Sequence, residues 1–433
     1  MEALIEALYP ICRSITGDGL RETLGIIAER IPLERHEVAT GTPVLDWTVP
    51  PEWNIRDAWI KDASGQRIVD YKASNLHVVN YSRPVPPQRL ALAELDAHLH
   101  SLPEHPDWIP YRTAYYEESW GFCLPHAQRI RLEPGEYEVC IDSTLEAGAL
   151  SYGELLIAGE SEKEVLVSTH VCHPSLCNDN LSGIAVATWL AAELAKRKPG
   201  LSYRFLFIPG TIGAITWLER NRHRLDRIAH GLTLVCLGND EPLRYKRTLS
   251  GHAEIDRVME FVLRNSEGDF EIRDFHPYGY DERQYNSPGF RLPVGSLMRG
   301  VHGEFPEYHS SADNLDFVHI PLLEEAADRL LEVFAILETN GRYRNRAPFG
   351  EPQLGRRGLY RGMGGEADPR SLSQAMLWIL QFSDGTNDLL SIAERSGLPW
   401  AILRNAAERL EEHDLLERCG SPGQRERGGA CAS

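Results

Sequence analysis

The stretch STHVCHPSLCNDNLSG, residues 168–183, decides how the rest of the chain is read. It continues an apolar run that begins at Glu164 and sets His170 and His173 where that run ends. A polar loop with Asn178, Asp179 and Asn180 then leads into a segment rich in Ala and Leu. Strand, ligand-bearing loop and helix in this order make the first part of an α/β unit. Imidazole and carboxylate groups gathered at the carboxyl end of a strand are what a borderline cation such as zinc binds. The plain alternative is that His170 and His173 are loop histidines and that Asp179 or Asn180 caps the helix.

The alternation repeats downstream. Tyr203–Pro209, Leu232–Gly238 and Val294–Met298 read as strands, and Ile184–Arg197, Ile212–Arg224, Ala253–Arg264 and Leu322–Thr339 as helices. The predicted fold class is therefore α/β, with a mostly parallel mixed sheet and helices on both faces. Ligands of such sheets bind outside the carboxyl ends of the strands. Upstream, Leu4, Ile5, Leu8, Ile11 and Ile15 share one helical face that Pro10 should break, and a second helix is predicted over Leu20–Arg30. Residues 44–145 have another texture, with short strand-like runs divided by Pro, Gly and Asn, which predicts a β-rich module. It holds Trp47, Trp53, Trp59, Trp108 and Trp120, expected to build an aromatic core. After a Gly, Pro and Arg-rich linker at 346–370, the segments Leu372–Phe382, Asp388–Ser396 and Ala401–Glu411 have the spacing of a winged-helix-like unit over 371–418. Residues 419–433 read as a polar tail.

Bulk properties agree with several folded domains, since 433 residues suggest about two to four. Apolar residues make up 42% and charged residues 25%, a composition that supports a substantial core. The formal net charge of −18 disfavours nucleic acid and anionic membrane as partners, because phosphate binding needs a basic patch. Eight cysteines stand apart with no CxxC pair, and the start MEALIEALYPICRSITG lacks the basic and apolar regions of a signal peptide. No run approaches the roughly 18 apolar residues of a membrane span. A cytoplasmic protein with free thiols is expected.

A second ligand-rich loop, HGEFPEYHSSADNLDFV at 302–318, follows the strand ending near Met298 and carries His309, Glu304, Glu307 and Asp313. Two such loops, each after a strand, favour one shared site over two chance clusters. Asp281, Arg283 and Gln284 in YDERQYNSPG are candidate substrate-binding residues, with Arg283 suited to clamp a carboxylate. A surface salt bridge is an equal alternative for Arg283. The glycines Gly355, Gly358, Gly362, Gly364 and Gly365 lack the strand, helix and lysine of a phosphate loop and read as a connector.

Residues 168–183 are similar to the zinc aminopeptidase and glutamate carboxypeptidase family, in which a strand-end histidine precedes an aspartate three residues before Ser-Gly. His170 matches that histidine, Asp179 the metal-bridging aspartate ahead of Ser182-Gly183, and His309 in YHSSAD the final ligand histidine. The chain from 1 to about 418 also resembles an uncharacterised bacterial group of aminopeptidase-like proteins. Its marks here are THVCHPSLCNDNLSG, GYDERQYNSPG, PVGSLMR, GEFPEYHSSADN and GEPQLGRRGLYR. The resemblance implies that residues 1–43 and 146–345 form one peptidase-like domain interrupted by the module 44–145, with the winged-helix unit after it.

Departures from the family pattern are specific. Cys172 stands where the aminopeptidases orient the first histidine with an aspartate. Gly210-Thr211 replaces the paired glutamates, a general base and a ligand, and Asn239 with Asp240 takes the place of a further aspartate ligand. The resemblance thus implies one zinc held by His170, Asp179 and His309, with the second metal site absent. A general base typically contributes ~10²–10⁴-fold in rate. Either Glu304, Glu307 or Asp240 supplies it, or hydrolysis is weak, and Gly210→Glu is expected to raise activity. The function expected is a metal-dependent hydrolase of amide or peptide bonds acting on a small molecule or peptide. The rivals are a degenerate relative that only binds a small molecule or partner, and a DNA-linked regulator. The charge opposes the last, and the mixed helix with Arg404, Glu408, Arg409, Glu411 and Glu412 reads as a docking surface. Homo-oligomer formation stays open.

Overall fold

A computed structural model describes residues 1–359 and 369–419, with Pro369 and Arg370 as backbone only. Its centre is an eight-stranded mixed sheet in the order Glu34–Ala39, Ala149–Ile157, Ser202–Ile208, Glu164–His170, Ile228–Leu234, Val294–Met298, Leu243–Lys246, Phe270–Arg273. The four middle strands run parallel, and antiparallel pairs join them to the outer strands. EVLVSTH and SYRFLFI are buried along their whole lengths, as strands covered on both faces must be. Helices Gly183–Leu194, Glu254–Asn265 and Ile320–Thr339 pack one large apolar cluster on one face, while Ile212–Asn221 packs a second cluster with Leu206, Ile208 and Val294. The buried Arg204 on a central strand is answered by Glu164 at 2.6 Å and by Glu154, so no charge is left unpaired there.

The expected elements are present with ends shifted by a few residues, as at Gly183–Leu194 for a helix predicted over 184–197. Pro10 breaks the helix as its lack of an N–H requires: Glu2–Leu8 ends ahead of it and a separate helix, Asp18–Ala28, follows. The outer strands Glu34–Ala39, Leu243–Lys246 and Phe270–Arg273 were not predicted, because their mixed polar texture has no clean two-residue period.

Residues 52–146 form a four-stranded antiparallel sheet, in the order Arg67–Asp70, Glu52–Lys61, Glu136–Glu146, Val85–Ala91. Its core is largely aliphatic, with Ile60, Val69, Val139 and Ile141 around Trp120. The expected tryptophan core is not there. Trp53 packs into the second cluster of the main sheet, with its indole N–H donated to the Ser82 carbonyl, and Trp47 is exposed. The module is latched to the helix Asp18–Ala28 by Arg21, which binds both carboxylate oxygens of Glu52.

The C-terminal unit pairs Arg342–Asn345 with Asp384–Asp388 and Leu416–Cys419, over helices Pro369–Phe382, Leu389–Ser396 and Trp400–Glu412. Its sheet thus draws on residues ahead of the stretch read as a linker. Arg257 of the main domain binds Asp388 at 2.8 Å and joins the two. Linker residues 360–368 and tail residues 420–433 lie outside the described residues. No helix among the described residues is long and apolar enough to cross a membrane, and the seven described cysteines are free thiols.

Candidate metal centre

The parallel strands ending at His170, Ile208, Leu234 and Met298 deliver their following loops to one edge of the sheet. There His170 Nε2 lies 2.7 Å from Asp179 Oδ1. Asp179 Oδ2 faces His309 Nε2 at 3.0 Å and His173 Nε2 at 3.6 Å. Ligand atoms of His170, His173 and Asp179 all fall within 4.8 Å of one another. These three are buried, and the His309 side chain is 33% exposed, so the cluster opens to solvent on that side.

The loop that carries Asp179 is held from two directions. Asp313, from the second ligand-rich loop, accepts the backbone N–H groups of Cys177 and Asn178 on Oδ1 and of Asp179 on Oδ2. On the sheet side, Asn178 Oδ1 accepts Gly238 N–H, Asn180 Oδ1 accepts Cys236 N–H, and Ser182 Oγ accepts Leu237 N–H. Four non-glycine residues in the loops after these strands sit at positive φ: Ser175, Thr211, Cys236 and His309. Backbone strain of this kind persists where the surroundings over-determine it, and it gathers at functional sites.

His173 is gripped from both ends of the chain's first third. Arg13, itself buried, donates from Nε to the His173 carbonyl at 2.8 Å. Tyr111, from the β-rich module, places its hydroxyl 3.2 Å from His173 Nδ1 and 2.9 Å from the Tyr115 hydroxyl. With Tyr111 donating to Tyr115, its oxygen accepts Nδ1–H and leaves the Nε2 lone pair free toward Asp179. This is the supporting hydrogen bond that metal-binding histidines typically make. Tyr308 stacks on His309 at 3.9 Å and fixes that ring.

The donor set fits zinc. Burial holds the His173 pKa well below its ordinary value, so the ring is neutral and able to ligate at neutral pH. Burial opposes ionisation of Asp179, but His173, His170 and His309 outweigh it and keep the carboxyl well below the usual carboxylate range. Asp179 Oδ2 and His309 Nε2, though close, are buried atoms without a well-formed hydrogen bond. A cation between them would satisfy both. Three imidazoles and a carboxylate make a ligand set that suits zinc.

The structure brings together His170, Asp179 and His309 and adds His173, which the sequence reading places in the ligand-bearing loop without counting it among the zinc ligands. Its place three residues beyond the strand end, ahead of Pro174, is the available signal. Glu304 is not at the cluster: it is largely exposed and pairs with Arg273 at 2.8 Å, a partner from an outer strand. Glu307 is half-buried, and only its carbonyl is engaged, by Ser310. Asp281 is buried and accepts Thr211 N–H at 2.6 Å, so it shapes the loop after Ile208. Arg283 is exposed and Gln284 half-buried, on the short helix Glu282–Tyr285. Asp240 is exposed near His319, and Asn239 is buried with Oδ1 unpartnered.

Sequence reading did not anticipate Tyr280. Its ring fills the room at Gly210, where a Cβ would overlap the phenolic oxygen and ring edge. Tyr280 packs on His170 at 4.0 Å, and its hydroxyl lies 3.4 Å from His173 Nε2 and 3.5 Å from Cys172 Sγ. Its other face is parallel to His302, which is buried with Nε2 unpartnered.

Comparison with known proteins agrees with this geometry. A Clostridium acetobutylicum protein provisionally named a polysaccharide biosynthesis protein with an aminopeptidase-like domain is 50% identical over 414 residues, 96% of this chain and 95% of that one. The crystal structure of a C. acetobutylicum protein provisionally named a peptidase superposes with a TM-score of 0.91 at 48% identity, covering 96% of each chain. A zinc aminopeptidase from Bacillus subtilis shares the fold, with a TM-score of 0.56 at 13% identity, over 78% of this chain and 93% of that one. Residues 341–418 match a winged helix-turn-helix family. Residues 2–340 match the family described as a domain of unknown function, DUF4910, and the chain belongs to that family.

Proposed function

We propose that the chain is a zinc-dependent hydrolase of amide bonds that works in the cytoplasm on a small biosynthetic intermediate. The observation that supports it best is the His170, His173, Asp179 and His309 cluster on strand-end loops of a fold shared with zinc aminopeptidases. The name of the 50% identical relative supports a small intermediate of polysaccharide synthesis. In this reading His170, Asp179 and His309 hold the zinc, with His173 beside them. Bound zinc would lower the pKa of water and polarise a carbonyl.

The chain's own groups divide the remaining work. Asp313 keeps Asp179 in place and Tyr111 orients His173. Burial pushes the Tyr280 phenol well above its ordinary pKa, so it keeps its proton and serves as a hydrogen-bond donor to a carbonyl oxygen, not as a base. With Glu304 tied to Arg273, proton acceptance is assigned in this reading to an imidazole in preference to the half-buried Glu307. His302, kept neutral by burial, is a buried acceptor free among the described residues.

Tyr280 in the place of a carboxylate favours a second reading, binding without hydrolysis. Metal analysis and a panel of amides separate the two. Release of amine by the zinc-loaded chain, lost in His170→Ala, supports the hydrolase. A folded, zinc-loaded chain that releases none favours binding alone.

For the C-terminal unit we propose docking within the chain, not DNA binding. Arg404 is paired with Glu408 at 2.8 Å, and Glu411 and Glu412 share that helix in a chain of net charge −18. Salt-sensitive binding of duplex DNA at micromolar or tighter affinity would overturn this.

A further inference from the structure

We propose that this site takes an uncharged, hydroxyl-rich substrate whose amide is an acylamino group, as in an N-acylated amino sugar, and rejects molecules with a free amino terminus. The proposal rests on the amide-hydrolase reading and names its substrate class.

The first argument is charge. A free amino terminus is an ammonium, and holding one in a closed site requires a carboxylate with lone pairs to spare. Around this cluster the carboxylates are spoken for. Asp179 faces three imidazoles, and Asp313 accepts three backbone N–H groups. Asp281 accepts Thr211 N–H. Glu282 is fully buried, bound to Lys246 at 2.6 Å and to Tyr280 N–H at 3.0 Å. Glu304 is held by Arg273. Glu307 is half-buried and makes no ion pair or side-chain hydrogen bond with any residue of the cluster. Cations are neutralised as well. Lys246 also donates to the Tyr278 carbonyl, and Arg273 pairs with Glu271 besides Glu304.

The second argument is what remains unpaired. His302 Nε2 and Asn239 Oδ1 are buried polar atoms without a partner, on residues 5% and 2% exposed. An unsatisfied buried polar atom is costly, so a pair in loops delivered to the same sheet edge calls for a ligand with neutral hydrogen-bonding groups. Aromatic rings stand around His302: Tyr280 parallel to it, Tyr308 edge-on to it, and Tyr278, 63% exposed, with its hydroxyl near the adjoining Gly303. Aromatic faces receive the C–H face of a sugar ring, while neutral acceptors and donors take its hydroxyls.

The test uses the zinc-loaded full chain and needs no turnover. Saturation-transfer NMR is run with the methyl glycosides of N-acetylglucosamine and N-acetylgalactosamine, and with leucine amide. At least one glycoside is expected to bind saturably, and Tyr278→Ala and Asn239→Ala are each expected to weaken it by about threefold to tenfold with the fold retained by circular dichroism. Leucine amide is expected to give no signal. Leucine amide binding as tightly as the glycosides, or neither glycoside binding saturably, overturns the proposal. A chain that binds a glycoside yet cleaves no amide would keep this inference and remove the hydrolase reading. Efficient cleavage of leucine amide would do the reverse.

Discussion

The ring of Tyr280 stands where a side chain at Gly210 would have to be, and it packs against His170. The glycine and the tyrosine therefore form one unit: the absent side chain makes room for the ring that braces His170. This reverses the expectation that Gly210→Glu would restore a base. The glutamate would collide with Tyr280, and overpacking a filled site costs roughly 1–3 kcal/mol. Gly210→Glu is predicted to lower the melting temperature and the zinc content together. Adding Tyr280→Ala should recover stability, and unchanged stability in the single variant would show that Tyr280 swings away freely.

Tyr111→Phe removes only the hydroxyl that supports His173 Nδ1. Loss of such a supporting group typically costs ~10–100-fold in metal affinity. Competition with a zinc chelator should show that loss while circular dichroism stays unchanged. Affinity equal to that of the unmodified chain would remove His173 from the metal centre.

Asp313→Asn is nearly isosteric but turns one of two acceptors into a donor. Whichever oxygen becomes the amide nitrogen then faces a backbone N–H of Cys177, Asn178 or Asp179. At least one amide loses its partner, at roughly 1–3 kcal/mol. Thermal unfolding and zinc content should both fall.

Glu52 gives a pH dependence far from the cluster. The hydrogen bond from Arg21 holds its carboxyl down at about 2, against burial that pushes the other way. A depressed carboxylate stabilises the fold above its unfolded pKa of about 4.3 and loses that contribution as pH falls toward 2. The pair is partly solvated, so the effect is held to roughly 1 kcal/mol. Glu52→Gln should melt lower than the unmodified chain at pH 6, with the gap closing between pH 4.5 and 2. A gap that does not change with pH would mean the latch is steric.

Much of this was legible in the chain itself. His170, Asp179 and His309 each stand in a loop after an apolar run, so periodicity alone brings them to one sheet edge. His173 is harder, because its role depends on a hydroxyl 62 residues away in the β-rich module. Glu304 looked like a free acid because its partner Arg273 lies on an outer strand whose polar texture hid it. The place of Tyr280 could not be read, since Gly210 reports only a missing side chain and not what moves in.

The hydrogen bond from Asp179 N–H to Asp313 spans 134 residues, and the one from Arg13 to the His173 carbonyl spans 160. During synthesis the histidines and the aspartate at 168–183 leave the ribosome after Arg13 and Tyr111 but long before Asp313. A chain stalled ahead of residue 309 would lack both the last histidine of the cluster and the carboxylate that holds the loop of Asp179. Closure of the cluster is then a late event, completed only when the second ligand-rich loop arrives.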